Sequence, residues 1–218
     1  YIQSRNKKKI DFIQNKALEL SLFLSLPATI ALLIASEEIT SSLFGYGSFT
    51  ELSVKNSANA LFYFALGLPA FSFIKIFSSF LFARHNTKIP FYFSVISVII
   101  NIIISVYYFN KIGFIIIPIA TTISSWFNVL VLLIYLTNKK YYLINLTFVK
   151  SLLKIALSTA LTSYIFYHLI NYFSDNLSYN SEYKLLTIIL LVIITFVIYI
   201  LISILTKAFK TSDIKLKY

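Results

Sequence analysis

Cysteine is absent from this 218-residue chain, which excludes disulfides and cysteine-based metal centres. Methionine is absent too, even at position 1, so the natural chain is expected to begin upstream of Tyr1. Charge is scarce: 12% of residues, against about 25% in a soluble domain, while 58% are hydrophobic, which moves the chain out of the soluble class. Carboxylates are scarcer still. Apart from Glu19, none lies in a long apolar stretch, which excludes a buried carboxylate proton relay. His85 and His168 are isolated, and no set of acid, base and nucleophile or metal-spaced cluster occurs, so the chain reads as a carrier and not an enzyme. The excess of Ile, Phe, Tyr, Asn and Lys follows the base composition of a genome and carries no functional weight.

What remains is a series of neutral runs: 20–36, 56–74, 89–110, 112–138, 155–174 and 185–206. Each is close to the ~20 residues that a helix needs to cross a ~30 Å hydrocarbon core, the first by starting at Ala17 with Glu19 at the interface. A β-barrel would need ~10-residue segments of alternating polarity, and the run LLTIILLVIITFVIYILI does not alternate. No small-residue cleavage site follows the first run, so it is not a signal peptide. The expected fold is an all-α integral membrane protein of about six transmembrane helices.

The net charge of +11 could indicate nucleic acid, but its placement does not. Basic residues cluster before the first run (Arg5, Lys7, Lys8, Lys9, Lys16) and between the second and third (Arg84, Lys88). Others lie around the entry to the fifth (Lys139, Lys140, Lys150, Lys154) and after the sixth (Lys207, Lys210, Lys215, Lys217). The alternate loops hold only Lys55, Lys111 and Lys184, beside Glu37, Glu38, Glu51, Asp175 and Glu182. By the positive-inside rule both ends of the chain are cytoplasmic, and the lysines serve topology and anionic lipids.

Polar residues at helical spacing mark the faces turned from lipid. The first four runs carry such stripes: Ser21, Ser25 and Thr29; Ser72, Lys75 and Ser79; Ser94, Ser97, Asn101 and Ser105; Thr121, Ser124 or Ser125, and Asn128. Each stripe either joins neighbouring helices or lines a polar cavity, and four in succession favour a polar interior. The fifth run has Ser158 and Thr162 on one face; in the sixth, Thr187, Thr195 and Ser203 drift around the helix and define no polar face. Pro27 and Pro69, the latter in Gly67-Leu68-Pro69, interrupt otherwise continuous helices, as hinges or as tolerated kinks, and Pro118 shapes the entry to the fourth. Between the first two runs, 38–49 reads as a short interfacial helix ending at Gly45 and Gly47, with a new start at Thr50. Lys75 is the one charge well inside a span. It lies about 13 Å from Arg84 along a helix axis, more than a lysine easily snorkels, so it lines a polar cavity, or else it snorkels or is paired internally.

Four segments in order carry a resemblance: the LP-bearing LELSLFLSLPATIALLIASEEITSSLFGYGSFT, ALFYFALGLPAFSFIKIFSSFLFARHNTKIP, the asparagine-bearing third run, and GFIIIPIATTISSWFN. They resemble the C-terminal portion of the MurJ (MviN) lipid II flippase family of the MOP superfamily, over nearly all of 17–136; from 139 on only hydropathy matches. The resemblance implies two lobes that rock around a cavity, with the last two helices grooved for a lipid tail. Residues 1–138 would be the four-helix part of the C-terminal lobe and 139–218 the terminal hairpin. The implied function is moving an undecaprenyl-diphosphate-linked precursor, lipid II, across the bacterial inner membrane, together with a missing N-terminal half that holds most substrate-binding arginines. The alternatives are a flippase for O-antigen or another polysaccharide unit, a drug exporter of the same superfamily, or a non-transporting scaffold. Carried over by position, Lys75 and Arg84 would bind substrate. Asn101 and Thr121 would be remnants of a monovalent cation site, although Ser105 stands where the family often has asparagine. No other cofactor is expected.

Overall fold

The computed structural model describes residues 7–208 and has no strand among them. Arg5, Lys210, Lys215 and Lys217 of the basic clusters lie outside the described residues. The helices are α1 (Lys7–Ile34), α2 (Ser36–Phe44), α3 (Glu51–Ala65), α4 (Leu68–Phe82) and α5 (Lys88–Ile112), then α6 (Ile116–Asn138), α7 (Leu146–Tyr172), α8 (Ser174–Leu177) and α9 (Lys184–Leu205).

Local chemistry sets the breaks. α2 ends at Gly45, and Gly47 takes φ +59°, a left-handed turn that glycine adopts without a steric cost. Thr50 then starts α3, its hydroxyl accepting the Ser53 amide at 3.3 Å. A short helix ending at Gly45 and a restart at Thr50 are as the sequence indicates. Asn86 does the same for α5, its Oδ1 accepting the Ile89 amide at 3.3 Å. Pro69 falls in the first turn of α4, where no amide donor is needed, so the chain breaks at Leu66 and Gly67. Pro27 is the tolerated case: α1 runs through it without interruption. A transmembrane helix tolerates proline where neighbouring groups satisfy the freed carbonyl.

Among the described residues, four helical stretches are long and apolar enough to cross a membrane, and α3 with α4, bent by 41° at their break, are so together. One of the four, Lys88–Asn138, has 51 residues, about 77 Å if straight, more than twice the ~30 Å hydrocarbon core. It reverses at Gly113, whose φ is +74°, and α5 lies beside α6. The chain is therefore a multi-pass, all-α membrane protein, with α1, α3–α4, α5, α6, α7 and α9 as candidate crossings.

Two compact units result. The first joins the chain up to Ser25 with Leu66–Val149. Its core is Leu18, Ala70, Phe77, Leu81, Val129, Leu132, Leu136 and Tyr142. The second joins Leu26–Ala65 with the chain from Lys150 on. Its core is Ala35, Phe166, Ile170, Leu177, Ile188 and Leu191. In both, the remaining apolar side chains of α5, α7 and α9 are largely exposed, the pattern of helices that face lipid.

Candidate functional site

α4 is amphipathic in the membrane sense. Ala70, Phe77 and Leu81 lie on one stripe and are buried against α6. Lys75 and Ser79 lie on the other face, exposed, with Ser72 partly buried beside them. The Ser79 hydroxyl donates to the Lys75 carbonyl at 2.8 Å, satisfying itself on its own helix. Among the described residues, the Lys75 ammonium has no hydrogen-bond or ion-pair partner. An unpaired cation within an apolar helix is costly unless its face meets water or an anion.

Arg84 is occupied. Its guanidinium donates to the Phe80 carbonyl at 2.6 Å and the Tyr141 carbonyl at 2.9 Å, and lies 4.6 Å from the Tyr141 ring centre. These contacts tie the end of α4 to the segment between α6 and α7. Burial pushes the guanidinium below its ordinary value, partly offset by Tyr141 and the Asp11 carboxylate; an arginine stays charged all the same. Lys75 and Arg84 are therefore not equivalent: one cation is free and the other is engaged.

Asn101 and Thr121 do come together, across α5 and α6. Asn101 Nδ2 donates to Thr121 Oγ1 at 2.9 Å, while that hydroxyl donates to the Ile117 carbonyl at 2.8 Å. Ser105 donates to Asn101 Oδ1 at 3.5 Å. The hydroxyl proton is spent on Ile117, so the amide must present its NH2 to Thr121, and a cation at Thr121 would face that NH2. As arranged, the Asn101 NH2 occupies the outward side of the Thr121 oxygen. Ser97, Ser124 and Ser125 likewise donate to carbonyls on their own helices. The bond from these stripes that joins α5 to α6 is Asn101 to Thr121. The stripe of α1 and the buried Asn128 differ: Ser21, Ser25, Thr29 and Asn128 keep buried oxygens without a partner.

α9 departs from expectation. Lys184, Ile188, Leu191, Thr195, Tyr199 and Ser203 are all buried and recur at helical spacing, so α9 has a mixed polar stripe after all. Thr195 and Ser203 belong to it; Tyr199 and Lys184 complete it, and Thr187 is the outlier. Lys184 is 2% exposed. Its ammonium donates to the Gly45 carbonyl at 2.7 Å and the Tyr179 carbonyl at 2.6 Å. It lies 4.3 Å from the Tyr46 ring centre and 4.7 Å from that of Tyr179. Each ring is itself pinned: Tyr46 donates to the Ser42 carbonyl at 2.9 Å and Tyr179 to the Phe49 carbonyl at 2.7 Å. The four-residue spacing from Lys184 to Ile188, then three to Leu191, is the sequence signal that would have placed the lysine on the buried face.

A family model described as lipid II flippase MurJ matches residues 1–188. A probable lipid II flippase MurJ of Rickettsia prowazekii is 38% identical over 127 residues, 58% of this chain and 25% of that protein. The Rhizobium meliloti relative is 39% identical over 120 residues, 55% of this chain and 22% of that protein. The lipid II flippase MurJ of Thermosipho africanus is 28% identical over 173 residues, 79% of this chain and 34% of that protein. A solved lipid II flippase MurJ in an inward closed conformation superposes with TM-score 0.73 at 26% identity, over 93% of this chain and 40% of that one. The chain thus spans about a quarter of the length of the first two relatives. The match over residues 1–188 places it in the lipid II flippase MurJ family, a family of transporters.

Proposed function

We propose that this chain forms C-terminal helices of a flippase that carries lipid II from the cytoplasmic to the outer leaflet of a bacterial inner membrane by alternating access. The family match over residues 1–188 carries the reading. An N-terminal lobe of the same protein supplies the other wall of the cavity, and both ends of this chain lie in the cytoplasm. The O-antigen, drug-export and scaffold readings are not favoured, since the relatives described above are named as lipid II flippases.

Lys75 is the chain's own contribution to the head-group path. Its unpaired ammonium offers the diphosphate a counter-charge in a low-dielectric setting, where such a charge counts for more than in water. Arg84 acts near the cytoplasmic end, holding the α4 terminus to Tyr141 and adding positive potential there. The polyprenyl tail stays in lipid along α7 and α9, whose Leu153, Leu157, Leu161, Ile189, Ile193 and Phe196 are exposed.

The test is complementation of a flippase-depleted strain together with a leaflet assay for lipid II. Lys75→Ala should reduce flipping at near-normal abundance, Lys75→Arg should retain part of it, and Lys75→Glu should be the most impaired, because it reverses the local potential. Full activity of Lys75→Ala at normal abundance removes Lys75 from the path. Failure of the wild-type protein to move lipid II removes the function itself.

A further inference from the structure

The first unit carries an open cavity of about 630 Å³ at the end of α4 and the start of α5, and Lys75 does not line it. Phe82, Phe91 and Tyr92 give it an apolar wall, and among the described residues of its lining none is acidic. Lys88 is the cation of the lining, exposed and without an ion pair among the described residues. A lysine at a cytoplasmic helix start serves topology and needs no ligand to explain it. The start of α5 itself offers an anion little, since the Ile89 amide is taken by Asn86 and Pro90 has none. Ser78 has no such explanation. It lines the same cavity and is only 9% exposed, yet its hydroxyl makes no hydrogen bond among the described residues. Its neighbours Ser79 and Ser97 satisfy theirs on their own helices. The unpartnered oxygens of Ser21 and Ser25 are closed to solvent, whereas that of Ser78 keeps accessible surface, and the cavity is what it opens on. The hydroxyls of Thr87 and Ser94, on the α5 side of the lining, are unbonded as well.

The lining says what kind of molecule enters. Aromatic rings suit methylenes, unbonded hydroxyls suit a head rich in acceptors, and a lone ammonium suits a single negative charge. Ser78 lies four residues inside Phe82, the last residue of α4, about 6 Å along the axis. The ester carbonyls of a phospholipid lie beneath its phosphate by a comparable step. We infer that this cavity binds one anionic phospholipid, with its phosphate diester at Lys88 and Thr87, an ester carbonyl at the Ser78 hydroxyl, and an acyl chain along Phe82, Phe91 and Tyr92. A zwitterionic lipid fits less well, because its own ammonium would meet Lys88 with no carboxylate in the described lining to receive it. A polyprenyl diphosphate also fits less well: it brings more than one negative charge to a single cation, and it has no ester carbonyl for Ser78.

The inference rests on the orientation proposed above only for naming the cytoplasmic leaflet as the source of the lipid, and binding in detergent does not depend on it. The full-length protein, stripped of lipid in detergent, is titrated with dioleoyl phosphatidylglycerol, dioleoyl phosphatidylcholine, undecaprenyl diphosphate and glycerol 3-phosphate, and bound molecules are counted by native mass spectrometry. A saturable phosphatidylglycerol site is expected, about fivefold tighter than for phosphatidylcholine, the worth of one lysine near an anionic head. Glycerol 3-phosphate, which has no acyl chain, should not displace the lipid at equal concentration. Lys88→Gln should erase the preference for phosphatidylglycerol, and Lys88→Arg should keep most of it, a rescue that misfolding does not mimic. Ser78→Ala should weaken both phospholipids about threefold, the range of one neutral hydrogen bond, and Ser78→Leu, which fills the cavity, should abolish the site. Lys150→Gln removes a lysine outside the lining and should bind as wild type does. Equal loss in Lys150→Gln and Lys88→Gln overturns the proposal, because surface potential alone gives that result. So does binding that Ser78→Ala and Ser78→Leu leave unchanged, or a preference for undecaprenyl diphosphate or glycerol 3-phosphate at these residues. The absence of any saturable site, as when upstream helices of the full-length protein cover the cavity, overturns it too. A wild-type protein that binds phosphatidylglycerol here but flips no lipid II strikes the flippase reading and leaves the site standing.

Discussion

Lys184 is the residue whose loss should reveal how the second unit is latched. It sits at the N-terminus of α9, where the helix dipole disfavours a cation, and no ion pair offsets it among the described residues. Two carbonyls at 2.7 and 2.6 Å and two tyrosine rings do so instead. Charge-assisted hydrogen bonds contribute about 1.5–3 kcal/mol each and a cation over an aromatic face about 0.5–2 kcal/mol. Against this stands the cost of stripping water from the ammonium, several kcal/mol when complete. The shielding here is close-range, by two rings near the end of a helix, so water can reach the Gly45 and Tyr179 carbonyls once the lysine is gone. The net loss for Lys184→Met is therefore on the order of 2 kcal/mol, well below the sum of the contacts.

Methionine decides between two explanations, because it keeps an unbranched stem of similar length without the ammonium. If Lys184 merely fills space, Lys184→Met is neutral. If the ammonium latches α9 to the turn after α2, the variant loses stability and opens locally, since Gly45, Tyr46 and Tyr179 all meet through it. Unfolding in a detergent titration gives the magnitude, and hydrogen exchange over residues 45–49 and 179–186 gives the place. Unfolding within about 0.5 kcal/mol of wild type, the scatter expected of a surface change, with unchanged exchange in both segments, refutes the latch.

Three further outcomes follow from the same contacts. The chain has no cysteine, so single cysteines at the exposed Ser48 and Asn176 should react with an impermeant thiol reagent added from outside while one at Asn145 stays silent; the reverse pattern overturns the orientation, and Ser4 and Ser212, equally expected to be silent, lie outside the described residues. Gly67→Ala would place a Cβ 2.7 Å from the Phe71 ring and 3.1 Å from Thr122 Oγ1, an overpacking worth about 1–3 kcal/mol; the single Trp126, whose indole donates to the Leu66 carbonyl at 3.1 Å, should report it as a red-shifted emission. Burial raises the Tyr142 phenol to about 12. It is neutral in both states below pH ~10, and from there to ~12 only the unfolded chain ionises, so its stabilising contribution, on the order of 2–3 kcal/mol, fades over that window. Tyr142→Phe should flatten the alkaline loss measured by unfolding between those pH values.

Much of this architecture follows from short-range information. The neutral runs located the crossings, and Gly67-Leu68-Pro69 located a real break because a proline in a first turn and a glycine in close packing act within a few residues. The face of α4 that bears Lys75 was equally legible, since Ser72, Lys75 and Ser79 share a stripe whatever surrounds them. What a stripe faces is a different quantity. The hydroxyls of α5 and α6 have the same spacing as those of α4, yet Ser97, Ser124 and Ser125 donate within their own helices, and Asn101 reaches Thr121. Arg84 shows the same limit, because its second acceptor, Tyr141, is 57 residues away.

Lys184 shows why charge counting fails at the ends of helices. Summing lysines by loop treats each one as solvated, which is sound for orientation, because insertion responds to total charge near a span. It is unsound for burial, because an acceptor can satisfy an ammonium from any distance along the chain, and Gly45 lies 139 residues from Lys184. Tyrosine compounds the error. Counted with the apolar residues, Tyr199 makes α9 look featureless and Tyr46 and Tyr179 hide in the turns after α2 and α8, although each phenol has one face for a cation or a methylene and one oxygen for a carbonyl. The unpartnered ammonium of Lys75 and the caged ammonium of Lys184 are alike in sequence, each a lone lysine beside apolar neighbours. Only the presence of two pinned rings and two carbonyl acceptors separates a charge held for the fold from one left without a protein partner.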